Sequence, residues 1–194
     1  MRSRARTDIE GPDDLRTLKR IFDLGSTGES MAAVESGVAL ENDGKNPCFG
    51  CGPSNPRGLR LSFRRIGDHV ETSLLTDVTM EGWPGRLHSG ILYTAMLETA
   101  NWTVYGIMGR IGVPVRTSAL GLQRWVPTGT RLRIAGSAMR KDRDILTVAV
   151  EAVSSDGPPV ATLDRDFVLP DRREFLERMG YEQVPEVFAG LIPE

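Results

Sequence analysis

The fold is decided by residues 87–109, which read LHSGILYTAMLETANWTVYGIMG. Glu98 is the only residue of this segment that carries a full charge at neutral pH. A helix of this composition has to be buried on nearly all sides. The segment is long enough to raise the question of a membrane span, but its serine, asparagine, threonine and glutamate side chains are too polar for a comfortable one. We therefore expect one long helix that is buried within protein.

Strand patterns lie on both sides of this segment. Apolar and polar residues alternate in two short runs before it and in four longer runs after it, at residues 59–64, 70–74, 115–125, 131–139, 145–153 and 160–169. A period of two is typical of a half-buried strand. The turns between the later runs are short, and short links join antiparallel neighbours. These patterns predict an α+β fold in which an antiparallel sheet wraps around one long central helix.

The chain length suits a single core domain with an extension at each end. Its 194 residues lie within the range of one hydrophobic core. We place the core domain at residues 47–170, an N-terminal extension with a short helix at residues 1–46, and a C-terminal extension at residues 171–194. The role of both extensions stays open at this point.

Charge and cysteine content exclude several classes of function. The formal net charge is −2, which provides no basic surface for nucleic acid and no polybasic anchor for a membrane. Two cysteines are too few for a secreted disulfide scaffold of this length. The basic start of the chain is not followed by an apolar segment of the kind found in secretory signals. We expect a cytoplasmic protein with no nucleic-acid partner and no membrane partner.

Cys48 and Cys51 form a Cys-x-x-Cys pair that invites comparison with metal sites. A structural zinc site needs four ligands, whereas the chain has only two cysteines and two histidines in all. Of the histidines, His69 falls at a turn and His88 belongs to the start of the long helix. A redox role is also weak, because no strand precedes the pair to open a helix after it. We expect no metal and no cofactor, and we assign the pair to loop geometry or packing.

Four short segments carry a resemblance to a known family. They are CFGCGPSNPRGLRL at residues 48–61, EGWPG at 81–85, LHSG at 87–90 and RWVPTG at 124–129. Together they closely resemble the phenylacetate-pathway type of hotdog-fold thioesterase, over about residues 46–170. The resemblance implies a hotdog fold and an acyl-CoA or related acyl-thioester substrate. It also implies a homo-oligomer, either a dimer or a dimer of dimers, with each site between two subunits.

The sequence departs from the motif of that family at two positions. The family reads His-Gly-Gly and places an acidic residue nine positions after the histidine. Here Ser89 stands between His88 and Gly90, a small change at a helix start because serine is a good N-cap. Leu97 occupies the position of the acid, and Glu98 follows it directly.

The helix start is the first part of the candidate site. Free backbone N–H groups around Ser89 and Gly90 provide donors for a developing oxyanion, and the helix dipole favours negative charge there. Gly90 allows a thioester to approach closely. His88 is a candidate catalytic residue at this end of the helix. We expect it to orient either the loop or the carbonyl group of the substrate. The alternative is a structural histidine whose ring bonds to backbone.

Glu98 is the second part of the site, as the general base or nucleophile. Burial is expected to raise its pKa. Thr94, Asn101 and Tyr105 share its helix face, and we expect Thr94 and Asn101 to contact substrate. The alternative is a structural carboxylate that these two side chains satisfy. Because one residue turns a helix by about 100°, Glu98 cannot take the direction of Leu97.

Three functions follow, in order of preference. The first is an acyl-thioester hydrolase with the substrate carbonyl at the helix start and Glu98 in catalysis. The second is a noncatalytic protein that binds acyl-CoA or acyl carrier protein, because Leu97 replaces the expected acid. The third is a dehydratase or isomerase acting on an acyl-thioester.

Overall fold

The computed structural model describes residues 37–194, apart from residues 143–144, 155–156 and 158 and the side chains of residues 140–142. The short helix predicted in the N-terminal extension lies outside the described residues. Two α-helices are described, α1 at Ser89–Met108 and α2 at Arg172–Met179. The strands are β1 Val38–Ala39, β2 Arg64–Ile66, β3 His69–Leu75, β4 Glu81–Trp83, β5 Arg86–Leu87, β6 Val113–Thr117, β7 Gly121–Leu122, β8 Arg131–Asp142, β9 Ile145–Ser154 and β10 Pro159–Val168.

The main sheet is antiparallel and has the strand order β1-β2-β3-β8-β9-β10-β6, with β7 also paired to β10. Strands β8, β9 and β10 follow one another as neighbours, as the short turns between their apolar runs predicted. Strand β3 closes onto β8 with Val70 opposite Gly136, and Gly136 in turn lies opposite Val150 on β9. Strands β4 and β5 form a separate two-stranded ribbon.

Helix α1 packs against the main sheet, with its closest contacts to β3, β8 and β9. Leu92, Met96 and Val104 of the helix are fully buried, as are Ile134 and Val148 of the sheet. Burying side chains of this size contributes roughly 1.5–3 kcal/mol each. The described structure is the predicted α+β hotdog fold, an antiparallel sheet around a central helix.

The polar residues inside α1 are satisfied locally. Thr99 and Thr103 are fully buried, and their hydroxyls donate to the carbonyls of Ala95 and Thr99 at 2.8 and 2.7 Å. Helix α1 can therefore be buried among other protein elements without leaving these hydroxyls unpaired. Among the described helices, none combines the length and the hydropathy that a membrane crossing requires.

The first predicted strand differs from what the structure contains. The alternating run at residues 59–64 is not one continuous strand, because Arg60 has a left-handed φ of 50° and the regular pairing with β3 begins only at Arg64. The backbone N–H of Leu59 donates to Phe49 at 2.8 Å, and that of Leu61 donates to Gly50 at 3.0 Å. These residues therefore pair with the cysteine loop rather than with the sheet, which holds that loop against the core.

The C-terminal helix α2 is capped at its start by Asp171, whose carboxylate accepts from the backbone N–H of Glu174 at 2.8 Å. Its buried residue Phe175 belongs to a small apolar cluster with Val113 and Val168. Gly180 ends the helix with φ 68°, a left-handed conformation that glycine adopts without strain. This packing brings α2 to one side of the central helix.

Candidate active site

The start of α1 is capped by a histidine side chain. His88 Nδ1 accepts a hydrogen bond from the backbone N–H of Gly90 at 2.9 Å, and the His88 carbonyl accepts from Ile91 at 3.0 Å. When Nδ1 accepts, the neutral imidazole carries its proton on Nε2, which is then a donor. A cavity of about 120 Å³ lies here, lined by Gly82, Trp83, Leu87, His88, Ser89 and Trp125.

This capping changes the set of donors that the helix start offers. The amide of Gly90 was predicted to be free for an oxyanion, but in the structure it is bonded to His88. The remaining candidate donors beside this cavity are the Ser89 amide and His88 Nε2. His88 thus makes the backbone hydrogen bond that its structural alternative predicts, and its Nε2 stays a candidate donor to a ligand.

The middle of α1 borders a larger cavity of about 480 Å³. Glu98 and the cysteine loop form one part of its wall, and α2 with the C-terminal segment forms another. The residues that line it are Glu41, Asn42, Asp43, Asn46, Cys48, Cys51, Glu98, Asn101, Trp102, Tyr105, Ile111, Gly112, Val113, Pro114, Phe175, Met179, Val187, Phe188 and Leu191. Its volume lies within the range of small-molecule sites, roughly 300–1,000 Å³.

Glu98 is half-buried and belongs to a chain of polar contacts. Asn101 Nδ2 lies 3.5 Å from Glu98 Oε1, at the limit of a hydrogen bond. Arg165 Nη1 donates to Asn101 Oδ1 at 3.1 Å and to the Leu97 carbonyl at 3.2 Å. Burial raises the pKa of Glu98, as predicted from its place on a buried helix, and the negative charge of Cys48 raises it further. The positive charge of Arg165 acts in the opposite direction.

The two cysteines lie against Glu98. Their sulfur atoms and a Glu98 carboxylate oxygen all lie within 4.8 Å of one another, and both cysteines are free thiols. A hydrogen bond from the Cys51 thiol, helped by backbone N–H groups of Cys51 and Gly50, lowers the pKa of Cys48 to about 5. Donating that bond, together with burial, raises the pKa of Cys51.

Gly50 allows this close approach of the loop to the helix. A Cβ atom at Gly50 would lie 2.2 Å from Glu98 Cγ, which no side chain could tolerate without a shift. The absence of a side chain at this position thus brings the loop backbone into contact with the carboxylate.

The structure separates the predicted site residues into two groups. Glu98 and Asn101 line the larger cavity together with Tyr105, whereas His88 and Ser89 line the smaller one. In the described part of the chain, Thr94 and Gly90 line neither cavity. The Thr94 hydroxyl donates to the Gly90 carbonyl at 2.9 Å. Glu98 lies ten positions after His88, which corresponds to a rise of about 15 Å along the helix.

Leu97, at the position where the family motif has its acid, is an apolar part of the fold. It is half-buried and packs against the main core cluster, and its carbonyl accepts from Arg165. Its side chain provides no group for proton transfer, so Glu98 is the carboxylate that α1 offers.

Sequence reasoning missed three residues near Glu98. Cys48 and Cys51 were assigned to loop geometry or packing. The sequence does show a glycine-rich Cys-x-x-Cys loop and a lone carboxylate on a buried helix, and these two features together could have suggested a shared site. Arg165 had a weaker signal, as the one cation among three consecutive charged residues of β10. The Trp102 ring stacks on Phe63 at 4.9 Å and borders the cavity.

Known proteins resemble this chain in structure but not in sequence. No protein-family model matches the chain, and no curated protein matches its sequence. Solved structures do match. A thioesterase superfamily protein aligns over 82% of this chain and 80% of its own, with 18% identity and a TM-score of 0.58.

Two further structures bear directly on the predicted resemblance. A hypothetical thioesterase from Streptococcus pneumoniae, solved with coenzyme A, covers 56% of this chain and 86% of its own at 17% identity and a TM-score of 0.51. The E. coli PaaI protein of the phenylacetic acid degradation operon covers 57% and 79% at 13% identity and a TM-score of 0.52. The likeness to thioesterase superfamily proteins, including the phenylacetate-pathway type, is therefore confirmed at the level of fold.

Proposed function

We propose that the protein hydrolyses acyl thioesters of the acyl-CoA kind, with Glu98 as general base or nucleophile. The observation that carries the proposal is the position of Glu98, half-buried in the wall of a 480 Å³ cavity and 3.5 Å from the side-chain amide of Asn101. A carboxylate whose pKa is raised by burial is a stronger proton acceptor when it is ionised.

The proposed reaction has two possible first steps at Glu98. As a general base, the ionised carboxylate takes a proton from water while the water oxygen bonds to the thioester carbon. As a nucleophile, a carboxylate oxygen bonds to that carbon and forms an anhydride, which water then hydrolyses. In both cases the carbon–sulfur bond breaks, the leaving thiolate takes up a proton, and the acyl group departs as a carboxylic acid.

The oxyanion part of the proposal uses the helix start. The Ser89 amide and His88 Nε2 would stabilise the negative charge on the carbonyl oxygen, with Gly90 permitting close approach. Within one chain these groups lie about 15 Å from Glu98 along the helix axis. We therefore propose a homodimer, or a dimer of dimers, in which one subunit supplies Glu98 and another supplies the helix start. Trp83 and Trp125 beside the helix start are 70% and 55% exposed, a degree of apolar exposure that suits a subunit contact.

The proposed substrate is an acyl-CoA or a related acyl thioester. The similar protein from Streptococcus pneumoniae was solved with coenzyme A. In this chain Trp102 and Phe175 provide apolar wall for an acyl group, and we assign Asn101 of the same cavity to substrate contact. Thr94, which lines neither described cavity, stays a predicted substrate contact. We also propose a cytoplasmic location, where the free thiols of Cys48 and Cys51 would stay reduced.

One observation favours a second candidate, a noncatalytic protein that binds acyl-CoA or acyl carrier protein. Leu97 occupies the position of the expected acid and packs in the core. Under this alternative the fold keeps its thioester cavity and lacks the group that hydrolyses the substrate.

Thiol release from short, medium and aromatic acyl-CoAs tests the proposal. We expect native turnover that falls by about 10²–10⁴-fold in Glu98→Gln. Glu177→Gln, which changes an exposed glutamate of α2, is the matched control and should behave as the native protein does. Acyl-CoA binding without native turnover, with hydrolysis appearing in Leu97→Asp, would instead support the binding protein.

A further inference from the structure

The cluster at the edge of the larger cavity contains a third potential metal ligand besides the two cysteines. We propose that Cys48, Cys51 and Glu98 bind zinc or a divalent cation of similar softness, with a fourth coordination position that faces the cavity. The inference stands independently of thioester hydrolysis, although both use Glu98.

The geometry of the three ligand atoms suits such an ion. Zinc binds thiolate sulfur at about 2.3 Å and carboxylate oxygen at about 2.0–2.2 Å, so a tetrahedral ion needs ligand atoms about 3.6–3.8 Å apart. The three atoms lie within 4.8 Å of one another. A contraction of about 1 Å or less, within the reach of side-chain rotation, completes three coordination positions.

The loop is already organised to hold a thiolate. The backbone N–H groups of Gly50 and Cys51 point to the Cys48 sulfur. Asn46 Nδ2 lies 3.8 Å from the Cys51 sulfur, and its Oδ1 accepts from the Cys48 backbone N–H at 2.9 Å. Hydrogen bonds to metal-bound sulfur and to the ligand loop commonly orient the ligands of a metal site. The contacts that would surround a bound ion are thus present in this loop.

The charges of the cluster also favour a cation. Each of the three ligands is an acid, and they cannot all ionise at this distance without repulsion. A divalent ion would neutralise two of the three negative charges. Nearby Arg165 favours an ionised Glu98 but supplies no ligand.

The type of ligand selects the ion. Two thiolates disfavour magnesium and calcium, which prefer oxygen, whereas zinc accepts mixed sulfur and oxygen ligands. Three protein ligands with one open position are the arrangement of zinc sites that bind an exogenous molecule. Asn101 and Tyr105 line the same cavity, where a water or a substrate oxygen would take the fourth position.

Metal titration of the full-length reduced protein tests the site. The protein is stripped with a chelator, its two thiols are confirmed as reduced, and Co²⁺ and then Zn²⁺ are added. We expect one ion per chain, a thiolate-to-cobalt charge-transfer band, and displacement of cobalt by zinc. Cys48→Ser and Cys51→Ser should each weaken the band and the affinity. Glu98→Gln should keep the band but lower the affinity by at least about tenfold.

Glu41→Gln is the matched control, because it removes another carboxylate from the wall of the same cavity. Its affinity for Co²⁺ should equal that of the native protein. The proposal is overturned if the reduced native protein binds no metal, or if binding survives in the Cys48→Ser/Cys51→Ser double variant or is unchanged in Glu98→Gln. Circular dichroism and sizing chromatography establish that each variant is folded.

Hydrolysis is assayed separately on metal-free protein, because a carboxylate that ligates a cation accepts protons poorly. Absent turnover with intact metal binding would contradict only the proposed function. Absent metal binding with intact turnover would contradict only the metal site.

Discussion

The two ends of the candidate site differ although they lie on the same helix. The start of α1 faces a cavity of about 120 Å³ that is bordered by exposed tryptophans, whereas its middle faces one of about 480 Å³ that is bordered by the cysteine loop and α2. His88 already uses Nδ1 to cap the helix, while Glu98 keeps a raised pKa. A single chain therefore separates the predicted oxyanion donors from the predicted base, and our proposal is that a thioester meets both where two subunits contribute.

The largest expected effect comes from mixing two inactive variants. If Glu98 of one subunit acts with the helix start of another, Glu98→Gln and His88→Ala should each reduce hydrolysis by about 10²-fold or more. Coexpression in equal amounts should restore about one quarter of the native rate in the unsorted mixture, because half of the dimers are mixed and each mixed dimer has one intact site of two. Mixed dimers isolated with two affinity tags should release thiol at about one half of the native rate. Mixed oligomers without recovery would show that both parts act from one subunit.

Glycine substitutions compare how tightly the two ends are packed. Gly50→Ala should lower the free energy of unfolding by about 1–3 kcal/mol, because its Cβ would lie 2.2 Å from Glu98 Cγ. Gly90→Ala should be nearly neutral, because alanine gains about 1 kcal/mol in helix propensity while its Cβ meets only the His88 ring at 3.0 Å. Gly44→Ala, which meets nothing within 4 Å, is the control. Urea unfolding gives the three differences, and equal values at Gly50 and Gly44 would contradict the close approach.

The pH dependence of hydrolysis tests whether Glu98, rather than a group at the helix start, is the titrating base. Arg165 lowers the pKa of Glu98, so removing its charge in Arg165→Gln should raise that pKa. Because catalysis needs the ionised carboxylate, the acid limb of kcat/KM should move to higher pH, with a severalfold loss of rate at acid pH and little loss at high pH. Arg172→Gln, which breaks an exposed pair with Glu194, should leave the profile in place. A movement to lower pH would exclude Glu98 as the titrating base.

The smallest expected effect concerns the helix that borders only the larger cavity. Asp171→Ala removes the N-cap of α2 and should lower the free energy of unfolding by about 1 kcal/mol. Phe175 and Met179 of this helix line the larger cavity, so acyl-CoA affinity should weaken with it. Glu177→Ala, at an exposed position of the same helix, is the control for urea unfolding and for acyl-CoA titration. Unchanged stability in Asp171→Ala would mean that the cap contributes little.

The sequence predicted the fold more completely than the site. The segment at residues 87–109 became α1 at Ser89–Met108, and the last three apolar runs became β8, β9 and β10. These predictions succeed because burial and strand periodicity are local properties of the chain. The run at residues 59–64 was predicted less well, because its hydrogen bonds go to Phe49 and Gly50, partners that no local pattern identifies.

By itself the sequence determined the antiparallel sheet, the buried central helix and its single carboxylate, since each follows from residue types that repeat or stand alone within one segment. Only the tertiary structure decided which side chains meet. It placed Cys48 and Cys51 against Glu98 through the close approach at Gly50, and it placed His88 in a different cavity. The physical reason is that these contacts depend on hydrogen bonds and packing between segments, which side-chain spacing along one segment does not encode.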